Sequence, residues 1–137
     1  MAQGTVTYSI VTGNGFDGNA QRTNIVADGG SNTVAGIDQY PYYSGYTPDL
    51  FGWKVEWVYR SSTDLELSIN CSPGVDTNWT TNLGPAIYGS FIIEPGIINW
   101  VDMGNNIWRV QVGFFVIALV GNTEWFEIDN VRMFPTF

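Results

Sequence analysis

Apolar and polar residues alternate with a period of two along most of this chain. In Trp53-Lys54-Val55-Glu56-Trp57-Val58-Tyr59-Arg60, one face carries Trp, Val, Trp and Tyr and the other Lys, Glu, Val and Arg. After Ser61-Ser62, the run Thr63 to Asn70 puts Leu65, Leu67 and Ile69 on one face and Asp64, Glu66 and Ser68 on the other. Such alternation marks half-buried strands, and the short polar link predicts that these two pair as a hairpin. Thr5–Val11, Thr33–Ile37, Ala86–Ile93 and Ile97–Met103 read as further strands. Ile107–Val120 is a long strand broken or bent near Gly113, and Glu124–Phe134 closes the chain.

That last segment carries a register signal. Phe126 and Ile128 share one face, while Val131 and Met133 fall out of phase with them. One extra residue at Asp129-Asn130 restores the phase, which is the work of a β-bulge. Thr12–Ser31, Asp38–Asp49 and Cys71–Pro85 are rich in Gly, Asn, Asp and Pro and read as loops. No stretch shows the 3.6-residue apolar period with caps that a helix needs. The expectation is an all-β chain, one domain spanning residues 1–137. Its predicted form is a two-sheet antiparallel β-sandwich of about eight strands, a jelly roll.

Composition narrows the chemistry. The 137 residues include 5 Lys+Arg against 13 Asp+Glu, a formal net charge of −8, and no histidine. A chain without imidazole has no Ser-His-Asp or Cys-His site and no imidazole-ligated metal. So few cations make it a poor ligand for nucleic acid. The longest apolar run, Val112 to Val120, is about half the ~20 residues of a membrane-spanning helix, so no membrane partner is expected. The N-terminus lacks the basic and apolar regions of a secretory signal, which predicts a protein made in a cytosol. Asn70-Cys71-Ser72 and Asn78-Trp79-Thr80 match the glycosylation sequon but carry little weight in that setting. Cys71, the single cysteine, excludes an intramolecular disulfide and reads as a small buried or half-buried residue.

The closing run Trp125-Phe126-Glu127-Ile128-Asp129-Asn130-Val131-Arg132-Met133 resembles the last strand of jelly-roll carbohydrate-binding modules. Asn14-Gly15-Phe16-Asp17 is similar to the Asn-Gly-aromatic-acid turn near the start of such modules. The resemblance implies a structural calcium shared by Asp17 and Asp129, with no other cofactor. The competing reading is that Asp129 satisfies backbone amides at its own bulge. In architecture, a small acidic jelly roll without a signal sequence is also similar to the cement or decoration proteins of tailed-phage capsids.

Two sets of residues invite partners. Tyr40, Tyr42, Tyr43 and Tyr46 crowd a Pro/Gly-rich loop, where they form a lid over the sandwich, a protein interface or a sugar-stacking platform. For sugar, the candidates are Tyr42, Tyr43, Tyr46 and Trp79, with Trp100 beside them. Phe115, Ile117 and Leu119 point away from a core made by Phe114, Val116, Ala118 and Val120. They require either a covering loop, such as Thr12–Ser31, or a partner subunit. Glu56, Glu66, Glu94, Glu124 and Glu127 sit in no catalytic motif, and Glu56 and Glu66 are accounted for as polar side chains on the solvent faces of their strands; no enzyme is expected. The leading functional expectation is a virion structural protein. It would be a homotrimeric cement subunit on the capsid exterior, made in the host cytoplasm and bound to the major capsid protein. The alternative is a carbohydrate-binding module or small lectin that uses loop aromatics.

Overall fold

A computed structural model describes residues 4–70 and 75–136. Its strands are β1 (Thr5–Thr12), β2 (Asn19–Val26), β3 (Thr33–Gln39), β4 (Tyr42–Ser44), β5 (Gly52–Ser61) and β6 (Leu65–Ile69). They continue with β7 (Val75–Trp79), β8 (Asn82–Ile93), β9 (Val101–Asp102), β10 (Ile107–Arg109), β11 (Val112–Ala118) and β12 (Thr123–Thr136). A 3-10 turn, Pro48–Leu50, precedes β5. Strand makes up 65% of the described residues and helix 2%, so the protein is an all-β sandwich. Among the described residues no helix is long and apolar enough to cross a membrane.

Two antiparallel sheets face each other, one ordered β1-β2-β12-β5-β8 and the other β3-β11-β6-β7. A small third sheet, β4-β10-β9, closes one end. The inward residues are those the alternation marks: Trp53, Val55, Trp57 and Tyr59 from β5, Leu65, Leu67 and Ile69 from β6, and Phe114, Val116 and Ala118 from β11. Trp57 joins the layers, with its ring 5.2 Å from Phe114 and 5.0 Å from Trp79 in T-shaped contacts. Each fully buried side chain of this size contributes roughly 1.5–3 kcal/mol from removal of apolar surface from water.

Pairing departs from expectation where periodicity is silent about neighbours. β5 and β6 are not a hairpin: β5 pairs with β12 and β8, while β6 pairs with β11 and β7. The chain changes sheets between Ser61 and Leu65, and the two apolar faces meet across the core instead of lying side by side. Thr12–Ser31 is not a covering loop, because it contains β2, which pairs with both β1 and β12. Cys71–Pro85 contains β7, and Cys71 itself lies outside the described residues. The long strand divides at Val110-Gln111 rather than at Gly113, which stays in its ladder opposite Asp38 and Ser68. With β2, β4 and β7 added and this strand divided, eight expected strands become twelve among the described residues. β11 ends at Ala118, so Val120 is exposed and not a core residue. The bulge is where the phase places it: the β12–β5 register shifts between Asp129 and Arg132, with Asn130 at φ 54°.

Candidate functional site

Because the odd-numbered residues of β5 point inward, Lys54, Glu56, Val58 and Arg60 point outward. The register sets Arg60 beside Glu127, and Glu127 beside Arg22 on β2. One carboxylate therefore lies between two guanidiniums, at 2.7 Å from Arg60 Nη1 and 2.9 Å from Arg22 Nη1. Trp125, two residues earlier on β12, stacks under both cations, 4.3 Å from the Arg22 guanidinium and 5.0 Å from that of Arg60.

Glu127 is 1% exposed although it faces away from the core. Arg60 also donates to the carbonyls of Leu83 and Gly84, which draws the irregular start of β8 toward this row. The β1–β2 turn meets that segment, with the Ala86 amide donating to the Asn14 carbonyl at 2.7 Å. Gly15 makes the approach feasible: its φ is +87°, and a Cβ there would sit 2.7 Å from the Ala86 nitrogen. Phe16, in the same turn, is buried. This half of the face is closed.

The other half is open. Glu56 splits its two oxygens between neighbours: Oε2 accepts from the Tyr88 hydroxyl at 2.6 Å, and Oε1 accepts from Arg132 through Nε at 2.7 Å and through Nη2. The hydrogen bond from Tyr88, then that from Arg132, holds the Glu56 carboxyl below its ordinary value; partial burial opposes this, and the charges of Arg132 and Lys54 add to it. The Lys54 ammonium lies 5.8 Å from the Tyr88 ring centre, and Arg132 lies 5.8 Å from that of Phe134. Glu56, Trp57, Val58, Tyr88, Asn130 and Arg132 line a cavity of about 360 Å³. The bulge aims Asn130 toward it, since an extra residue reorients its side chain relative to the ladder. A second cleft of about 380 Å³ lies between the layers, lined by carboxamides of Asn19, Gln21 and Gln39 and by Asp129.

The residues singled out from sequence are dispersed. Tyr43 packs into a cluster with Phe51 (5.9 Å), Trp53 (5.3 Å) and Trp100 (6.4 Å), so both it and Trp100 belong to the closed end of the sandwich. Tyr40 lies under Arg109, while Tyr42 and Tyr46 are exposed. Trp79 is engaged edge-on by Trp57. Phe115 is half-buried on the outer side of the four-stranded sheet, Ile117 is exposed opposite Val34, and Leu119 lies past the strand end. Asp17 is exposed in the β1–β2 turn and Asp129 is half-buried at the bulge. Calcium takes six to eight oxygens, and among the described residues no group of three or more acidic, Cys or His side chains is placed to hold a metal; two carboxylates fall short of that donor set. Glu56, read from sequence as a solvent-facing polar position, and Glu127, read only as lying in no catalytic motif, are the buried charged residues among those described. The available signal was the spacing of Lys54, Glu56 and Arg60 on one strand face; their partners on β2, β8 and β12 appear only with the register.

No protein-family model matches the sequence, and no curated protein matches it. Among solved structures, the fold is similar to the enzymatically active domain of bacteriophage CBA120 tailspike protein 4 (TM-score 0.65, 11% identity, 99% of this chain and 18% of that one). It is also similar to TmCBM61 in complex with β-1,4-galactotriose (TM-score 0.55, 10% identity, 97% and 88%). A third is the family 11 carbohydrate-binding module from Clostridium thermocellum in complex with a β-1,3-1,4-mixed-linked tetrasaccharide (TM-score 0.51, 13% identity, 97% and 84%). The chain spans less than a fifth of the tailspike chain and most of each binding module. At these identities the likeness establishes the β-sandwich fold.

Proposed function

We propose that this protein is a non-enzymatic carbohydrate-binding module whose sugar site is the open half of the five-stranded sheet's outer face. The observation that carries the reading is the Tyr88 ring, 55% exposed, standing beside a cavity whose polar wall is already fixed by the Glu56–Arg132 pair. A pyranose offers an apolar C–H face and a rim of hydroxyls. An aromatic plane takes the first, and charged groups held in place take the second without further ordering cost. Arg132 supplies donors and Asn130 supplies both donor and acceptor, while Glu56 holds Tyr88 and Arg132 in position. The fold likeness to modules solved with bound oligosaccharides supports this reading.

Hydrolysis is disfavoured by the same geometry. A glycosidase acid needs a carboxyl with a raised pKa facing a second one across the scissile bond. The Glu56 carboxyl is shifted the opposite way, and Glu127 is closed under the turn and the start of β8 between two arginines. The test is affinity electrophoresis against a panel of neutral and acidic soluble polysaccharides, with Tyr88→Ala alongside the natural chain. Retardation by at least one polysaccharide, lost in Tyr88→Ala with unchanged thermal unfolding, is the expected result. No retardation by any polysaccharide, or equal retardation of the variant, overturns the proposal.

A further inference from the structure

Acids outnumber bases 13 to 5 in this chain, yet the bases are not scattered. Arg22, Lys54, Arg60 and Arg132 all project from the outer face of the five-stranded sheet, leaving Arg109 alone elsewhere. Two of the four are spent: Arg22 and Arg60 share Glu127 beneath the closed half. Arg132 lines the open cavity, where Glu56 is the carboxylate in the lining, and Lys54 lies next to it over the Tyr88 ring. Asp129, the nearest further acid on β12, lines the interlayer cleft instead.

These two cations keep donors available. Arg132 directs Nε and Nη2 to one oxygen of Glu56, so its Nη1 edge is unengaged among the described residues, and its side chain is 69% exposed. Lys54 makes no ion pair among the described residues, and its ammonium lies over the Tyr88 ring at 5.8 Å from the centroid, a cation–π contact that a carboxylate can replace. The acceptor capacity of Glu56 is by contrast largely used by Tyr88 and Arg132. Next to the stacking ring, donors and positive charge are thus in excess on a molecule that is negative as a whole.

From this placement we infer that the ligand is an acidic polysaccharide whose pyranose units carry a carboxylate. The sugar ring lies on Tyr88, and the carboxylate is taken by Lys54 and the free edge of Arg132. The inference rests on the carbohydrate-binding reading and gives it a ligand class. A guanidinium edge and an ammonium converging on one carboxylate form charge-assisted hydrogen bonds, and the excess charge weakens repulsion between a polyanion and the acidic chain.

The experiment titrates the protein with polygalacturonate, with its fully methyl-esterified form and with a neutral β-1,4-galactan, at low and high ionic strength. Methyl esterification keeps the ring and removes the charge. The expected result is binding to polygalacturonate about tenfold or more tighter than to the ester, with the advantage lost in high salt. Lys54→Gln lowers polygalacturonate affinity several-fold, and Lys54→Arg restores it. Equal affinity for acid and ester, or binding of galactan alone, overturns the inference and leaves the carbohydrate-binding reading standing. Equal binding of poly-glutamate overturns it too, since charge alone would then suffice. Failure of the wider polysaccharide panel overturns the underlying reading.

Discussion

Tyr88 and Glu56 are diagonal neighbours across β8 and β5: Glu56 is paired with Ser90 and Tyr88 with Val58, yet the phenol reaches back to the carboxylate at 2.6 Å. Diagonal positions on one sheet face are within reach of long side chains, so the contact fixes the ring that stands over the cavity. Because the folded Glu56 carboxyl is held below its ordinary value near 4.5, its contribution to stability is fully present above that value. It is lost as pH falls through the depressed one. Tyr88→Phe removes the largest cause of the shift. A carboxyl NMR titration should show the Glu56 midpoint rising toward 4.5 in that variant; an unmoved midpoint would refute the role given to the phenol.

Glu127 holds two guanidiniums in a closed setting, with side-chain exposures of 1% for Glu127 and 14% for Arg60. Removing one member of a buried ionic group leaves charge without compensation, at a cost of about 3–5 kcal/mol. Glu127→Ala should therefore lower stability by an amount near that range in urea unfolding. A change below about 1 kcal/mol would place the triad among weak surface pairs.

The loop tyrosines separate by the same logic. Tyr43→Ala removes three aromatic contacts at the closed end and should cost about 2–4 kcal/mol. Tyr46, 82% exposed, should cost no more than about 0.5 kcal/mol as Tyr46→Ala. If Tyr46→Ala also abolishes polysaccharide retardation while Tyr88→Ala does not, the sugar site belongs to the loop.

Side-chain facing was legible in the sequence, and strand pairing was not. Trp53, Val55, Trp57 and Tyr59 alternate against polar neighbours strongly enough to fix which way β5 faces, and one out-of-phase step locates the bulge at Asp129-Asn130. Nothing in that alternation distinguishes a neighbour in the same sheet from one across the core, so β5 and β6 were paired wrongly. β2 was hidden because its inward face holds Thr23 along with Ile25, and its outward face carries Arg22 and Asn24. That contrast is too weak to register as a strand. The site was obscured for a related reason. Glu56 and Glu127 look like solvated positions until β12 brings Arg132 to one of them and β5 and β2 bring arginines to the other.

Facing in β11 can be checked by a matched pair. Phe114 is 1% exposed and touches Trp57, so Phe114→Ala should cost about 3–5 kcal/mol. Ile117 is 43% exposed on the opposite face, and Ile117→Ala should cost under about 1 kcal/mol in a dilute sample. Equal losses in urea unfolding would mean that the outer face is covered in solution.

Gly89 offers the sharpest test of the core between the sheets. It stands directly opposite Trp57 in the β5–β8 ladder, on the inward face. A Cβ at this position would fall 2.6 Å from the indole Cε2 and 2.7 Å from Cζ2 and Nε1. The indole has no room to yield, since Phe114 and Trp79 hold it from the other layer at 5.2 and 5.0 Å. Overpacking of this kind costs about 1–3 kcal/mol. Gly89→Ala should lower the unfolding midpoint and change the near-ultraviolet circular dichroism that reports tryptophan packing. The β8 residues on the outer face, Tyr88 among them, are displaced only if the strand itself moves. Unaltered stability and spectrum would show that Trp57 does not span the sandwich as described. A stability loss with polysaccharide binding retained would show that the inner and outer faces of β8 respond independently.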